Sequence, residues 1–513
     1  MNLNTTYQEN RLESIVVNGN HFPNKSLCEL DAIPKFAVSV NRWMPYIRSV
    51  NEAHVVMLYE QGILKLQEAG AILKAIEELD YEGYKSQTYC DEFEDMYFQQ
   101  EKEIIEKSNG AGGNMHLGRS RNDMCITWTH LNVCEGILDV METLIQFQNT
   151  VRLFCEEHKD TLYVIHTHTQ HAQPGIMGHY FLGFLDVLDR CIRRFKNAYD
   201  MTNVSPKGAA VATTSAYPIS RERMAELLGC DGIIENAYDS IGNIEYYSLV
   251  ASAVSLCAID LSKTITDMIL WATEEEKMII FGDGLSSISS IMPQKRNPIV
   301  MEHLRACVGV AKGLGDTVQT ACFRIPYGDI CDYEDMDSSL FSAFSMLKRC
   351  LKVFDSVMAT IDVNKPLLRQ RAFESFSVVT EMADEMYRSY GIPFRKAHGF
   401  VSYLVKKARA DGYDLRVVEE KYFADTYEEY FHEPFTFDFA PIAQSIDPDH
   451  FVKVREVVGG TGPKAMAAQL ASAQRKVKEN AAWYDEKTSI LAASDQARLD
   501  AVNRIIKAWQ REK

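Results

Sequence analysis

A run of 37 residues without glycine or proline, residues 245–281, limits what this chain can fold into more than any other feature. Its apolar residues recur at helical spacing, so the pattern predicts a helix on the order of 50 Å long at 1.5 Å per residue. Similar patterns predict long helices over residues 123–158, 176–201, 299–321 and 338–362. The apolar faces of these helices are too wide for one partner each. They therefore predict an all-α helical bundle whose faces are shared between neighbouring subunits.

The composition is that of a globular protein large enough for several domains, with 513 residues, 46% hydrophobic and 24% charged. No apolar run approaches the roughly 20 residues that span a bilayer, so we expect no membrane partner. The first residues lack the basic start and apolar core of a secretory signal, which predicts a cytoplasmic protein. The 12 cysteines show no C-x-x-C pair and no spacing typical of zinc sites, which indicates buried thiols in a reducing compartment.

The charge balance restricts the class of partner. A net charge of −17 argues against a nucleic-acid partner, because phosphate binding needs a basic surface. A small anionic substrate can still bind where the chain concentrates positive charge. Three loops rich in Gly, Ser or Pro join the long helices, at residues 109–122, 202–218 and 282–298. Because loops held by a rigid scaffold often carry chemistry, these loops are the first places to look for a site.

The segment SSIMPQKRNP, residues 289–298, combines a serine pair with a basic and amide-bearing end. Pro293 and Pro298 bracket the polar part and keep it out of a helix. Such a loop can offer hydroxyl groups and hydrogen-bond donors to an anion. The alternative is a solvated, basic surface loop.

The segment GNMHLGRSRNDM, residues 113–124, places Ser120, Arg121 and Asn122 between Gly118 and the start of a long helix. The glycine frees the backbone to turn, a serine or asparagine supplies a cap, and the helix start directs amide donors outward. A carboxylate would suit this position. The alternative is an ordinary capped helix with solvated arginines.

The segment HTHTQHAQP, residues 166–174, holds three histidines within six positions. His166 and His168 alternate as on a strand or extended loop and so share a face, whereas His171 joins them only if a helix begins there. A metal site is one interpretation, and packing or capping roles are the other. The absence of Asp and Glu between residues 161 and 184 argues against the metal.

Taken together, these segments resemble one family. SSIMPQKRNP resembles the signature loop of the fumarase, aspartase and argininosuccinate lyase superfamily, in which two serines precede M-P-x-K-x-N-P. HLGRSRND and THTQHAQP resemble the H-T-G-R-S-R-N-D and T-H-L-Q-x-A-Q-P segments of argininosuccinate lyases. The order and separations also fit, and the C-terminal landmarks of that family are matched by GIPFRKAH and VVGGTGPKAM, residues 391–398 and 457–466. The resemblance covers residues 90–470.

The resemblance implies a lyase that eliminates fumarate from an N-substituted aspartate, with argininosuccinate as the lead substrate. It implies that Ser289 is the base, and that the carbanion is stabilised as an aci-carboxylate. Lys295 then supplies positive charge, and His168, paired with Glu302, serves proton transfer at the departing nitrogen. No metal and no organic cofactor is expected.

The resemblance also implies the substrate contacts and the architecture. The substrate-binding residues are Ser120, Arg121, Asn122, Thr167, Asn297, Tyr327, Met292 and Gln294. The expected fold is fumarase/aspartase-like, with an N-terminal helical domain over residues 1–122 and a central long-helix bundle over 123–368. A C-terminal helical domain with an extension follows over 369–513. The expected assembly is a homotetramer with shared active sites, in which the three regions come from three different subunits.

Several positions depart from the family pattern on the side that would hold the amine. Departures fall at Leu117, Met124, Tyr97 and Ile244, and the alignment also places Glu334 and Asp337 where the family has Gln and Lys. An acidic pocket would repel an amino-acid carboxylate and attract a further amine. The alternatives to argininosuccinate are therefore a different leaving amine, with the reaction running even in the amine-addition direction, or a retired enzyme kept as a structural or binding protein.

Overall fold

The computed structural model describes residues 3–14, 25–90, 92–328, 332–413 and 418–512, and helices dominate them. The α-helices are α1 Leu3–Ser14, α2 Lys25–Leu27, α3 Ile33–Val38, α4 Met44–Glu60, α5 Leu66–Glu77, α6 Tyr81–Lys85, α7 Met96–Lys107, α8 Arg121–Glu157, α9 Met177–Thr202, α10 Arg221–Leu227, α11 Ala237–Gly242, α12 Glu245–Trp271, α13 Ile299–Ala321, α14 Asp332–Thr360, α15 Lys365–Glu374, α16 Val379–Tyr390, α17 Phe394–Asp411, α18 Glu420–Phe431, α19 Ala440–Ser445, α20 Pro448–Lys453 and α21 Pro463–Glu512.

The strands are short and form two-stranded pairs. They are β1 Leu162–Thr167, β2 Gln170–Ile176, β3 Val204–Ser205, β4 Gly232–Ile233, β5 Ile279–Ile280, β6 Ser287–Ile288, β7 Arg296–Asn297 and β8 Asp362–Val363. The β1–β2, β5–β8 and β6–β7 pairs are antiparallel, and β3–β4 is parallel. All of them lie at the ends of helices, where they shape loops rather than a sheet core.

Five long helices form the central bundle, and the predicted all-α class is confirmed. Helix α12 packs on α13, α13 packs on α14, and α8 packs on both α9 and α14. Their inward faces supply most of one continuous apolar core, which includes Phe147, Phe181, Leu261 and Phe354. Each of the five helices lies within one of the five segments for which helical spacing was found, or overlaps it almost completely.

The helix predicted over residues 245–281 is too long by ten residues, because α12 ends at Trp271. A turn follows, in which the hydroxyl of Thr273 accepts the Glu276 amide at 3.3 Å and Lys277 takes a left-handed φ of 47°. The β-branched pair Ile279–Ile280 then forms β5 against β8. Helical spacing continues through this segment, which contains no glycine or proline. The end of α12 at Trp271 is therefore revealed only by the tertiary pairing of β5 with β8.

Among the described residues, α12 alone has the length and apolar composition that crossing a membrane requires. More than half of its most apolar part is buried inside the protein. Because α12 packs against α9, α13 and α14, its apolar character serves the bundle core. Cytoplasmic location itself stays a prediction.

Two further apolar clusters flank the bundle. One gathers side chains from α4, α5 and α7, and the other gathers side chains from α16 to α19. Helix α21, 50 residues long, packs along α8 and α9 and reaches α4 and α5, where Trp509 covers Gly70. Arg498 on this helix donates to the buried carboxylate of Glu52 at 3.0 Å. Helix α21 therefore connects the bundle to the apolar cluster of α4, α5 and α7. The domain boundaries at 122 and 368 stay predictions.

A buried histidine in the bundle makes stability depend on pH. His130 on α8 bonds through Nδ1 to the carbonyl of Thr202 at 2.8 Å, and burial lowers its pKa to about 4. The unfolded chain takes up the proton near pH 6.5, so the protein loses stability as pH falls through that value. We expect the free energy of unfolding to fall by about 2 kcal/mol more in the wild type than in His130→Gln between about pH 7.5 and 5.

Urea unfolding at one fixed protein concentration measures this difference. Glutamine keeps a donor for the Thr202 carbonyl but does not titrate in this range. The control is His398→Gln, since His398 is exposed and its replacement is expected to leave the pH dependence of the wild type. Parallel pH profiles for the wild type and His130→Gln would contradict the prediction.

Candidate active site

The segment around Ser120 begins the long helix α8. Ser120 is the N-cap and forms a capping box with Asp123, whose Oδ1 accepts the Ser120 amide at 2.9 Å. Gly118 precedes it with a φ of 68°, a left-handed conformation that suits glycine. Asn122 is half-buried beside Ser120, and its backbone N–H donates to the Ser120 hydroxyl at 3.4 Å. The predicted capped helix start is confirmed, and it presents Ser120 and Asn122 at the end of the bundle.

A buried ion pair lies directly below this helix start. Lys207 Nζ donates to Asp123 Oδ2 at 2.7 Å, and the Gly208 amide donates to the same oxygen at 2.8 Å. Both charged side chains are 0% exposed. Burial lowers the pKa of Lys207 to about 8, while the carboxylate of Asp123 acts in the opposite direction. Sequence reasoning did not select Lys207, although a single lysine within the apolar segment SPKGAAVA was the available signal.

The arginines of the same segment have partners within the chain. Arg119 is buried and donates to Asn51 at 2.8 Å and to the hydroxyl of Tyr97 at 3.1 Å. Arg121 donates to the carboxylates of Glu94 and Asp95. The guanidinium of Arg121 is therefore paired, and its predicted substrate contact stays a proposal.

The serine segment folds into a β-hairpin made of β6 and β7, with residues 289–295 as its loop. The hydroxyl of Ser289 accepts the amide N–H of Met292 at 3.1 Å and that of Ile291 at 3.4 Å. These two donors fix the position of the Ser289 oxygen and are directed at the atom on which negative charge would develop if the hydroxyl lost its proton. The hairpin is closed by the Lys295 amide, which donates to the Met292 carbonyl at 3.0 Å.

The other predicted residues of this loop surround Ser289 or follow it. Met292, Gln294 and Lys295 are exposed, and Asn297 is half-buried with its amide donating to the Ser287 hydroxyl at 3.3 Å. Glu302 lies in the first turn of α13, and its side chain is exposed. One short hairpin and the helix that follows it therefore carry a hydroxyl, an ammonium group, an amide and a carboxylate.

The histidine segment is a hairpin of β1 and β2, with His168 and Thr169 as its two-residue turn. Both turn residues have a left-handed φ, 52° and 59°, as a type I′ turn requires. Left-handed backbone in residues other than glycine stores strain and often marks a functional site. Thr167, next to the turn, and His168 are both exposed.

The prediction that His166 and His168 share a strand face is wrong, because the turn begins at His168. His171 is instead the cross-strand partner of His166, with ring centroids 5.0 Å apart, and no helix starts there. Partial burial and the neighbouring His171 both lower the pKa of His166. The three histidines therefore divide into a cross-strand pair and a separate exposed turn residue.

The predicted site residues lie at two opposite ends of the bundle. Helix α8 has 37 residues and is about 55 Å long, with Ser120 before its first residue and the His168 hairpin after its last. Helix α13 has 23 residues, about 35 Å, and separates Glu302 from the loop of Tyr327. Among the described residues, no hydrogen bond or ion pair joins any two of the three motif segments. In one copy of the chain the predicted site residues therefore lie in two groups, one at each end of the bundle.

The serine and histidine hairpins belong to the same end. Strand β5, which leads into the serine loop, pairs with β8, and α15, which follows β8, packs against β1. An ion pair between Glu276 and Arg371, 2.6 Å, connects the same elements. The opposite end holds Ser120, Arg121, Asn122 and Tyr327.

The positions that depart from the family pattern are mostly interior. Tyr97 is buried and its hydroxyl donates to Glu101 at 2.8 Å, and Met124 is part of the N-terminal apolar cluster. Leu117 and Ile244 are half-buried. Tyr97 and Met124 therefore support the fold beneath the helix start and do not line open space in this chain.

The hypothesis that Asp337 gives the amine side a free negative charge is wrong. Its side chain is 1% exposed and pairs with Arg42 at 2.7 Å, and the hydroxyl of Tyr247 lies 3.3 Å from its second oxygen. Arg42 belongs to the N-terminal segment of the chain. The residues around Asp337 therefore gave no indication of this ion pair. The side chain of Glu334 lies outside the described residues.

Tyr327 is exposed, and its hydroxyl donates to the carboxylate of Asp239 on α11. This hydrogen bond raises the pKa of Tyr327 to about 12. Sequence reasoning did not select Asp239, although it lies in the quoted segment NAYDSIGNIEYY. Nothing in the local pattern indicated that α11 packs beside a residue 88 positions later.

Comparisons with known proteins agree with this geometry. The family model described as "Lyase" matches residues 44–313, and the one described as "Argininosuccinate lyase C-terminal" matches residues 376–453. The argininosuccinate lyase of Methanocaldococcus jannaschii is 32% identical over 85% of this chain and 89% of its own length. That of Methanothrix thermoacetophila is 30% identical over 90% and 93%. A crystal structure of EDDS lyase in complex with formate superposes with a TM-score of 0.81 at 26% identity, covering 95% of this chain and 96% of that one.

The match to the lyase family model and the likeness to argininosuccinate lyases show that the chain is a fumarate-eliminating carbon–nitrogen lyase. Within that class, the chain belongs to the argininosuccinate lyase family. The sequence resemblance to this family is thereby confirmed.

Proposed function

We propose that the protein eliminates fumarate from an N-substituted aspartate, that Ser289 is the base, and that argininosuccinate is the lead substrate. The observation that carries the proposal is the hydrogen bonding of Ser289, whose hydroxyl accepts two backbone amides within a loop that also carries Lys295. The lead substrate rests on relatives named argininosuccinate lyase at 30–32% identity.

In the proposed reaction, Ser289 acts as an alkoxide after its own proton has passed to solvent, and it takes the proton from the carbon next to a carboxylate. The electron pair of that C–H bond enters the carboxylate, which becomes a doubly charged aci-carboxylate. Lys295 and Asn297 bind this group and stabilise its added charge. The electron pair then returns to form the carbon–carbon double bond of fumarate as the C–N bond breaks, and the nitrogen leaves with the bond electrons.

The departing nitrogen needs a proton, and His168 with Glu302 is the proposed source. A carboxylate beside an imidazole favours its charged form and fixes its orientation. Thr167, Ser120 and Asn122 hold the carboxylates of the succinyl half, while Arg121, Met292 and Gln294 complete its surroundings. None of these steps calls on a metal or an organic cofactor.

The two-ended placement of these residues supports an assembly in which different copies complete each site. Helix α12 exposes Leu256, Ile259 and Leu270 along one face, an apolar stripe that a second copy would cover. The proposed assembly is a homotetramer with shared sites, located in the cytoplasm.

A different leaving amine is the second candidate, and the pairing of Tyr327 with Asp239 favours it. The carboxylate of Asp239, which was not among the predicted residues, lies beside Tyr327, and Ile244 stands where the family has an arginine. The likeness to EDDS lyase is compatible with such a change, because that enzyme is named for a substrate other than argininosuccinate. In this second candidate function, the protein would eliminate the amine from the substrate or add the amine to fumarate.

Fumarate absorbance in the ultraviolet tests both candidates with the purified full-length protein. We expect fumarate release from argininosuccinate if arginine is the leaving amine, and fumarate consumption with another amine from a panel if it is not. A denatured sample and the Ser289→Ala protein serve as controls. No change in fumarate with argininosuccinate or with any amine would contradict the proposed function.

A further inference from the structure

Three side chains form an exposed cluster at the bundle end that carries Ser120. Tyr238 and Asp239 lie on α11, and Tyr327 lies just after α13. The hydroxyl of Tyr327 donates to Asp239 Oδ1, and the hydroxyl of Tyr238 donates to the backbone oxygen of Tyr327 at 3.0 Å. The two rings have centroids 5.4 Å apart, and Tyr238 and Tyr327 remain 49% and 57% exposed. A carboxylate with two aromatic rings beside it therefore faces open space.

This cluster is held rigidly. A Cβ on Gly242 would lie 3.0 Å from the ring of Tyr327, so the ring rests directly on the backbone of α11. Asn236 caps α11 by accepting the amides of Tyr238 and Asp239 at 2.9 and 3.1 Å. The cluster is thus preorganised before any ligand binds, which lowers the entropic cost of binding.

One guanidinium group connects the cluster to the helix start that bears Ser120. Arg221 donates to Ser240 on α11 at 3.0 Å, to the carbonyl of Glu235 at 3.1 Å, and to the carbonyl of Lys207 at 3.1 Å. Lys207 in turn pairs with Asp123 of the capping box. The cluster and the proposed carboxylate-binding residues therefore share one framework at the same end of the bundle.

The surrounding charge suits a cation. Tyr327 keeps its proton at neutral pH, because the hydrogen bond to Asp239 raises its pKa to about 12, so the pair carries the negative charge of the carboxylate. Aromatic faces attract cations and a carboxylate repels anions.

We propose that Asp239, Tyr238 and Tyr327 bind a second, positively charged nitrogen of the leaving amine. The substrate class is then an N-substituted aspartate whose amine part carries an ammonium group without an accompanying carboxylate. This inference rests on the proposed function and assigns the amine-side specificity of the same site.

Matched amines test the cluster in the direction of addition to fumarate. 1,2-Diaminoethane and propylamine have the same number of heavy atoms, and 2,3-diaminopropionate adds a carboxylate to the diamine. We expect kcat/KM for the diamine to exceed that for propylamine by about tenfold or more, and the added carboxylate to remove most of this preference. Fumarate absorbance measures all three rates on the full-length assembly.

Asp239→Asn keeps the size of the side chain but removes its charge, and it is expected to reduce the diamine preference to about threefold or less. The matched control is Glu235→Gln, an exposed carboxylate four positions earlier whose loss should leave the preference unchanged. Circular dichroism and size-exclusion chromatography show whether each variant is folded and assembled. Equal rates for the diamine and propylamine in the wild type, or an unchanged preference in Asp239→Asn, would overturn the subsite.

Failure of the proposed function gives a different result, namely no fumarate consumption with any amine. Isothermal titration of 1,2-diaminoethane then tests the subsite without turnover. We expect saturable binding, with Kd at least about tenfold weaker in Asp239→Asn than in the wild type and in Glu235→Gln. Absence of binding, or equal Kd in all three proteins, would overturn the inference.

Discussion

Replacing Ser289 with alanine is expected to lower the rate of fumarate formation by about 10³-fold, the magnitude typical of a lost general base. Alanine has no oxygen to take the proton. The backbone N–H groups of Ile291 and Met292, which donate to the Ser289 hydroxyl, also lose their acceptor. In the proposed site Lys295 and Asn297 still hold the carboxylate, so kcat should fall while KM changes little. Initial rates followed by fumarate absorbance give both constants.

The neighbouring serine supplies the matched control. Ser290 is exposed in the same hairpin loop, so Ser290→Ala makes the same chemical change one residue away. We expect this variant to keep its rate within about threefold of the wild type, since a factor of three is less than 1 kcal/mol in the barrier. A fully active Ser289→Ala protein, or equal losses in the two variants, would show that Ser289 is not the base.

Replacing Lys207 with methionine is expected to lower the free energy of unfolding by about 3–5 kcal/mol, because it leaves a buried carboxylate without its counter-charge. The remaining donors to Asp123 are the amides of Ser120 and Gly208, which do not carry full charge. Methionine resembles the lysine side chain in length, so the loss reports the charge rather than a cavity. Denaturant unfolding at one protein concentration measures it.

The same variant should also weaken substrate binding. Asp123 closes the capping box of Ser120, so a relaxed Asp123 loosens the helix start that presents Ser120 and Asn122. We expect KM to rise by more than kcat falls. The control is Lys102→Met, which breaks the exposed ion pair with Glu92 and should leave the free energy of unfolding nearly unchanged. A loss below about 1 kcal/mol in Lys207→Met would contradict the prediction.

Local signals account for what could be predicted of the fold. The helical spacing of apolar residues placed α13 at its observed bounds, and it placed α8 and α9 within two residues. The helix cap followed from a serine or asparagine between Gly118 and the start of a long helix, a signal that acts within one turn. These features were predictable because their causes lie within a few residues of one another.

The end of α12 was not predictable in the same way. Helical spacing continues to residue 281, but pairing of β5 with β8, some 80 residues later, is what ends the helix at Trp271. The turn at His168 was missed for a related reason, since alternation of histidines fits a strand until the opposite strand fixes the turn. In both cases a partner strand decided the local conformation.

The sequence by itself determined the helical class, the family and the candidate residues Ser289, His168, Lys295 and Glu302. Only the tertiary structure decided which charges are free. It paired Arg42 with Asp337 across 295 positions, Lys207 with Asp123 across 84, and Tyr327 with Asp239 across 88. The physical reason is that charge pairing depends on distance in space and on burial, and helices tens of ångströms long bring together residues that no local pattern connects.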